Sequence, residues 1–240
     1  MTLLKFDVSE KSFFIYIQRL RCDMRNFFRR KALLSLSPLE GYNRWASSYG
    51  EESNPIRDLS DGLVKKFLPD LKNKAVLDAG CGTGKFCAYA ETQQAAKIVG
   101  VDLSPAMIEE ARRHCPQVEF RCGDLAAVSL ETEGFDVIVC ALVLGYVEQL
   151  EPSLRALLRA LKKGGVILIT DLHPFLTLLQ AKRTFLDART KKTYEIRHHL
   201  HLFQEYFQNF SKEQVIVESF EEPVFGGKPT VFGIVARKIG

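Results

Sequence analysis

Short apolar runs alternate with helical stretches from residue 75 onward, and this alternation constrains the fold more than any other feature. The runs have the length of strands buried on both faces. Strands that alternate with helices predict a doubly wound α/β fold with a parallel sheet. The predicted strands cover residues 75–79, 97–101, 118–122, 135–140 and 165–170, with an antiparallel hairpin-like edge from 213–220 and 230–238.

Signals for helix ends lie between the predicted strands. Ser104 and Pro105 are typical of an N-cap followed by the first helical position. A leucine stripe over residues 154–161 is followed by two lysines and then Gly164 and Gly165, which predicts that this helix ends at the glycines.

The positive charge is concentrated at the N-terminus. The net charge of the 240 residues is +4, and residues 1–50 contain nine Lys/Arg against four Asp/Glu. The remaining chain is therefore close to neutral, which argues against nucleic acid as a partner. Residues 13–28 show an apolar stripe beside arginines, so we predict a basic amphipathic helix in an extension over 1–38. We expect this helix either to pack on its own domain or to make peripheral contact with a membrane or a partner.

Cysteine usage and hydropathy indicate a cytoplasmic protein. The six cysteines include no CxxC pair, so neither a disulfide framework nor a zinc site is predicted. The longest uncharged apolar stretch, 137–147, is far shorter than the roughly 20 residues that a membrane helix needs. Charged residues near the start argue against a signal peptide.

A glycine-rich loop follows the first predicted strand and carries the chemical signal of the sequence. Gly80, Gly82 and Gly84 occupy alternate positions between a strand and a helix. Glycines allow positive φ and close approach of a ligand to the backbone. The loop lies at the carboxyl edge of the sheet, where open α/β folds bind ligands. Asp102 ends the next strand and is placed to accept the hydroxyls of an adenosine ribose.

The loop departs from the pattern of dinucleotide-binding sites. Lys85 stands where the third glycine of such a site is expected, and Asp78 precedes the first glycine by two residues. A helix N-terminus that binds pyrophosphate favours an environment free of anions. The pattern therefore favours a ligand with an ammonium end and a ribose end.

Four segments, at residues 76–84, 99–111, 123–125 and 135–139, resemble class I S-adenosylmethionine-dependent methyltransferases. The similarity is to the small-molecule group that includes ubiquinone/menaquinone-type C-methyltransferases, and it covers residues 40–172. It implies a Rossmann-like, seven-stranded, mostly parallel sheet with an antiparallel edge strand and helices on both faces. It also implies S-adenosyl-L-methionine as cofactor and a methyltransferase domain over 39–240.

The resemblance assigns cofactor contacts to residues at the edge of this sheet. Asp78 would face the methionyl amino group through water, Asp102 the ribose hydroxyls, and Asp124 the adenine amine. Tyr42 and Trp45, in a segment that folds over the cofactor, and Met107 have core packing as their alternative role. The further implied contacts are Gly80, Gly82, Gly84, Leu103, Leu125 and Ala141.

His173 and His201 are the candidate catalytic residues. His173 follows the fifth predicted strand and so lies at the carboxyl edge of the sheet. In the segment 196–201, alternation would place His199 and His201 on one face of a strand, opposite His198. Either candidate base would accept a proton from an acceptor that must lose one. The alternative is a structural histidine bonded to the backbone, and no metal site is predicted.

The segment 173–210 contains seven Phe/Tyr and is predicted to form a lid over the acceptor. Its character favours an apolar or aromatic small molecule, methylated on oxygen, carbon or nitrogen. Two alternatives remain: a protein or nucleic-acid methyltransferase that docks through the basic helix, and a cofactor-binding protein or dinucleotide oxidoreductase. The oligomeric state is left as monomer or homodimer.

Overall fold

A seven-stranded sheet lies at the centre of the protein. In the computed structural model, which describes residues 33–50 and 54–239, its strands are β2 (Ala75–Ala79), β3 (Lys97–Asp102), β4 (Glu119–Cys122), β5 (Phe135–Ala141), β6 (Leu161–Leu172), β9 (Val215–Glu221) and β12 (Val231–Lys238). Their order is β4-β3-β2-β5-β6-β12-β9, and the first five pair in parallel. The predicted helix over 13–28 lies outside the described residues.

The predicted seven-stranded, mostly parallel sheet is confirmed. Its antiparallel strand is β12, which pairs with β6 on one side and with β9 on the other. The outermost strand β9 consequently runs in the same direction as β6. A small hairpin of β10 (Val224–Phe225) and β11 (Lys228–Pro229) joins β9 to β12.

Helices cover both faces of the sheet, as predicted. Helices α5 (Leu150–Ala160) and α7 (Phe203–Lys212) bury their apolar sides in one core cluster. Helices α2 (Pro55–Phe67) and α3 (Lys85–Thr92) bury theirs in a second cluster. Among the described residues, no helix has the length and hydropathy that a membrane span requires. The helices are α1 (Pro38–Trp45), α2 (Pro55–Phe67), α3 (Lys85–Thr92), α4 (Pro105–His114), α5 (Leu150–Ala160), α6 (Pro174–Leu178) and α7 (Phe203–Lys212).

One predicted helix end is confirmed and one is wrong. Ser104 caps α4, because its Oγ accepts a hydrogen bond from the Met107 amide at 3.2 Å. Helix α5 ends at Ala160, before the glycine pair, because Leu161 already pairs with Phe135 of β5. The β5–β6 register shifts just beyond this pair, and Gly164 takes φ +74° there. Gly164 therefore allows the irregular stretch of β6 and does not act as a helix cap.

A second, three-stranded sheet includes part of the segment predicted to form a lid over the acceptor. We call this sheet the lid, and its covering role stays a prediction. It has the order β1-β8-β7, with β1 at Leu34–Leu36, β7 at Arg183–Leu186 and β8 at Thr193–Ile196. Residues 34–36 are thus a strand, although the sequence placed them in a helical extension. The expected strand through His199 and His201 is also wrong. Strand β8 ends at Ile196, and beyond it the His199 amide donates to the Gly145 carbonyl in the loop after β5 rather than to a neighbouring strand.

Lys238 ties the last strand to the end of a helix. Its Nζ donates to the carbonyls of Leu158 at 3.1 Å and Leu161 at 3.0 Å, and the residue is 8% exposed. Carbonyls at a helix C-terminus have no partner within the helix, so an ammonium group there stabilises the helix end.

We expect Lys238→Met to lower the free energy of unfolding by about 1–3 kcal/mol, because two buried carbonyls lose their charged donor. Lys212→Met is the matched control. Lys212 also lies at a helix C-terminus, but its side chain is 60% exposed and pairs with Glu151 at the surface, so its loss should cost less than about 0.5 kcal/mol. Urea denaturation of both variants measures the difference, and equal costs would contradict the capping role.

Candidate active site

The glycine-rich loop connects β2 to α3 at the carboxyl edge of the sheet. Gly80, Gly82 and Gly84 have φ values of +82°, +53° and +83°. A Cβ on Gly80 would lie 2.1 Å from Cγ2 of Val143 in the loop after β5. The backbone conformation and this close approach both require glycine at position 80.

Asp102, at the end of β3, accepts hydrogen bonds from the loop itself and from the start of α4. One carboxylate oxygen accepts the Gly82 amide at 2.9 Å and the other accepts the Ser104 amide at 2.8 Å. Burial raises the pKa of Asp102, and these amide hydrogen bonds oppose that effect. Each oxygen keeps a further lone pair, which is what a ligand with two hydroxyls requires.

Asp78 lies in a more apolar environment below the same loop. It is 4% exposed, and the Cys87 thiol donates to its Oδ2 at 3.4 Å. Burial raises the pKa of Asp78 to about 7, and the charge of Asp102 adds to the effect. Asp78 therefore exchanges its proton near neutral pH and would be stabilised in its ionised form by a cationic ligand.

Two clefts meet over the glycine-rich loop. The first has a volume of about 600 Å³ and extends from the ends of β3 and β4 toward the lid. The second has a volume of about 690 Å³ and contains Asp78. Both clefts are lined by Tyr49, Gly80, Gly82, Ala141 and Leu142. A ligand that spans both clefts would pass directly over the loop.

Most of the predicted cofactor contacts lie in these clefts. Three do not: Met107 is fully buried in the core, Gly84 is the N-cap residue of α3, and Trp45 packs on the lid. Their positions fit the packing and capping roles better than a ligand contact. The predicted residues that line the clefts are Tyr42, Asp78, Gly80, Gly82, Asp102, Leu103, Asp124, Leu125 and Ala141.

An aromatic cluster closes the lid side of the first cleft. Trp45 stacks on Phe185 of β7 at 5.1 Å between ring centroids and meets Tyr49 edge-on at 4.9 Å. Tyr42 contacts Tyr146 at 5.2 Å. Burial raises the pKa of Tyr49 to about 12, so this phenol stays neutral beside Asp102. Neutral aromatic rings present electron-rich faces that attract a cationic group.

The two predicted catalytic histidines lie outside the lining of both clefts. His173 accepts the Phe175 amide at Nδ1 and pairs with Glu222 through Nε2 at 2.7 Å. It thereby caps α6 and joins it to the segment after β9. His201 bonds the Val147 carbonyl through Nε2 at 2.9 Å. These contacts favour structural roles, and a catalytic role for either residue stays a prediction.

His199 and Arg197 line the first cleft, and neither was predicted as a site residue. The His199 amide donates to the Gly145 carbonyl at 2.8 Å, which draws residues 197–202 against the loop after β5. The sequence did signal this group, because three histidines lie within four positions. It could not indicate which of their side chains would face the cleft.

A buried ion pair fastens the lid to the main sheet, and sequence reasoning missed it. Arg183 of β7 donates to Asp171 of β6 at 2.6 Å, with 9% and 2% of their side chains exposed. The other Asp171 oxygen accepts the Gly145 amide at 2.6 Å. The Arg183 guanidinium also lies 4.4 Å from the ring centroid of Tyr146. The pair thus positions an aromatic residue of the cleft.

The comparisons with known proteins agree with this architecture. Residues 76–165 match the family described as Methyltransferase domain. The chain is 30% identical to a malonyl-[acyl-carrier protein] O-methyltransferase of Enterobacter lignolyticus, over 55% of this chain and 51% of that protein. It is also 30% identical to a ubiquinone biosynthesis O-methyltransferase of Idiomarina loihiensis, over 55% of this chain and 56% of that protein. The chain thus spans about half the length of these two relatives.

A solved S-adenosylmethionine-dependent methyltransferase from Mesorhizobium loti superposes with a TM-score of 0.63 and 21% identity, over 76% of this chain and all of that one. At this identity the likeness establishes the fold. The fold, the glycine-rich loop and the methyltransferase-domain match over residues 76–165 agree with the resemblance to class I S-adenosylmethionine-dependent methyltransferases seen in the sequence.

We expect Arg183→Met to lower the free energy of unfolding by about 3–5 kcal/mol, because it leaves the Asp171 carboxylate buried without its counter-charge. Asp171→Asn combined with Arg183→Met should cost less than the sum of the two single changes. Guanidinium denaturation of the four proteins completes the double-mutant cycle. Additive costs would show that the two side chains do not interact.

Proposed function

We propose that this chain transfers the methyl group of S-adenosylmethionine to a hydroxyl-bearing small molecule with an apolar or aromatic body. The observation that carries the proposal is the cradle formed by Gly82 and Asp102, at the point where the two clefts meet. When bound, S-adenosylmethionine supplies an activated methyl group on a sulfonium.

The residues of the clefts fit the two ends of this cofactor. Asp102 would accept the ribose hydroxyls, and Asp124 and Leu125 would meet the adenine. Asp78 and the Ala141 carbonyl would hold the ammonium end in the second cleft. This arrangement is supported by an acid in each cleft and by a glycine backbone between them that no Cβ obstructs.

The protein would promote the reaction mainly by orientation. Holding the acceptor nucleophile in line with the methyl group at near-contact distance accounts for several kcal/mol of the barrier. The aromatic cluster and the lid would exclude water from the reacting groups. Neither effect requires a metal ion or a covalent intermediate on the protein.

The acceptor class follows from the other wall of the first cleft. Leu39, Val143, Val147 and Pro152 supply apolar surface there, with Tyr146 as an aromatic wall. Such a wall suits an apolar or aromatic body. The two named relatives are O-methyltransferases, which favours oxygen as the methylated atom. A role of the basic N-terminal helix in docking, a cytoplasmic location and the oligomeric state stay predictions.

We expect Asp102→Asn to weaken binding of S-adenosylhomocysteine about 10- to 100-fold, since the variant loses charge-assisted hydrogen bonds to the ribose. Isothermal titration calorimetry measures the affinity. Asp70→Asn is the control, because Asp70 is exposed and lines neither cleft. Undiminished binding by Asp102→Asn, or equal binding of NADH by the unaltered protein, would overturn the cofactor assignment.

We expect binding of S-adenosylhomocysteine at pH 7 to release about half a proton per site, because the ammonium group favours ionised Asp78 and lowers its pKa from about 7. Affinity should accordingly rise with pH up to about 7 and then level off. Calorimetry in buffers of different ionisation enthalpy counts the proton. Asp78→Asn should abolish this release, and an unchanged count in the variant would contradict the assignment.

A further inference from the structure

We infer that His199 is the catalytic base of this site and that it takes the proton of an acceptor hydroxyl. The inference rests on the proposed methyl transfer and names the residue that the acceptor side of the cleft contributes. Three observations support it: the hydrogen bonds of the histidine rings, the position of His199 at the first cleft, and the charged groups near its ring.

Three of the five histidines have ring nitrogens that are hydrogen-bonded within the protein. His173 and His201 are held as described above, and His114 meets the Thr83 carbonyl at 3.0 Å through Nδ1. His198 is partly buried and lines neither cleft. Among the described residues, the His199 ring has no hydrogen-bond partner, and its packing neighbour is the His201 ring at 6.5 Å. Its nitrogens are therefore the ones left to meet a ligand.

His199 is also the only histidine that lines the first cleft. Its backbone is fixed by the hydrogen bond to Gly145, next to the cleft-lining Tyr146. The ring behind it belongs to His201, whose bond to the Val147 carbonyl holds it in place. A fixed backbone, together with a ring at the cleft that has no internal hydrogen bond, is the arrangement that a general base requires.

Charged groups of both signs line the cavities that His199 borders. The buried pair of Asp171 and Arg183 shares a small cavity with it, together with His201 and Tyr206. On the cleft side, Glu148 and Arg197 line the first cleft together with His199. The titratable and charged neighbours are Tyr146 and Glu148 after β5, Asp171 of β6, Arg183 of β7, Arg197 and His201 of its own segment, and Tyr206 of α7.

The chemistry conserves charge across the site. The acceptor oxygen forms a bond to the methyl carbon as the bond from that carbon to sulfur breaks, and the hydroxyl proton passes to a ring nitrogen of His199. One positive charge leaves the sulfur and one appears on the imidazole, which later returns its proton to solvent. No oxidant, metal ion or further reactant is needed.

The test compares the wild-type protein with His199→Gln and with His198→Gln, the neighbouring histidine that does not line the cleft. The probes are 4-methylcatechol, 4-methylbenzoate and 4-methylaniline, which share one body and differ in the nucleophile. Methyl transfer at saturating S-adenosylmethionine is followed over pH, and binding of S-adenosylhomocysteine is measured in parallel.

We expect wild-type protein to methylate 4-methylcatechol on oxygen. His199→Gln should lower kcat/KM for this probe at least about 100-fold and lose the fall in rate at low pH. Its affinity for S-adenosylhomocysteine should stay within about twofold of wild type, because His199 is not among the proposed cofactor contacts. His198→Gln should retain its rate within about threefold.

Three results would overturn the inference. The first is that His199→Gln keeps the wild-type rate, or that its rate still falls at low pH as in the wild-type protein. The wild-type protein could bind S-adenosylhomocysteine yet methylate only the benzoate or the aniline, or none of the probes, which rejects a hydroxyl acceptor deprotonated by His199 while cofactor binding stands. Failure to bind S-adenosylmethionine and S-adenosylhomocysteine would instead reject the proposed function itself.

Discussion

The hydrogen bonds that Asp102 accepts from Gly82 and Ser104 determine how the site is built. They join the glycine-rich loop after β2 to the start of α4 after β3, so two neighbouring strand ends share one carboxylate. Parallel pairing of β2 and β3 brings these ends to the same edge of the sheet. The loop can accept this arrangement because Gly82 has no side chain and adopts positive φ. A ligand that spans the two clefts over the loop would meet this preorganised carboxylate.

The lid depends on a second charged interaction, deeper in the protein. Asp171 and Arg183 are both almost fully buried, and a Cβ on Gly145 would come within 2.8 Å of the Arg183 guanidinium. A buried pair of this kind is costly to desolvate and is a poor means of adding stability. Its specific effect here is geometric. It holds the first lid strand, the loop after β5 and the ring of Tyr146 in one arrangement beside the cleft.

Much of the fold could be predicted because its signals are local. The apolar runs gave the seven strands to within a few residues, except β6, which begins four residues before its predicted start, and Ser104 marked the start of α4. The lining of the clefts was predictable where a residue follows a strand end, as with Asp102, and its contact with a cofactor stays a proposal. The burial of Met107 in the core was not predictable, because helical periodicity does not say which side of α4 faces the core. The lid pairing of residues 34–36 with 193–196 joins segments about 160 residues apart, and no local signal in either segment specifies it. The choice among His173, His199 and His201 depends on the same long-range packing.

The contact between Trp45 and Phe185 has a practical consequence for watching this protein at work. Trp45 is the single tryptophan of the chain, and it stacks at 5.1 Å between ring centroids on Phe185 of the β7–β8 hairpin. Indole emission depends on the polarity and quenching groups around the ring. Opening of the hairpin would expose one face of the indole to water and change its spectrum. The sequence thus places its single intrinsic fluorophore against this hairpin, and stopped-flow mixing with a ligand would report any change in their packing without an added label.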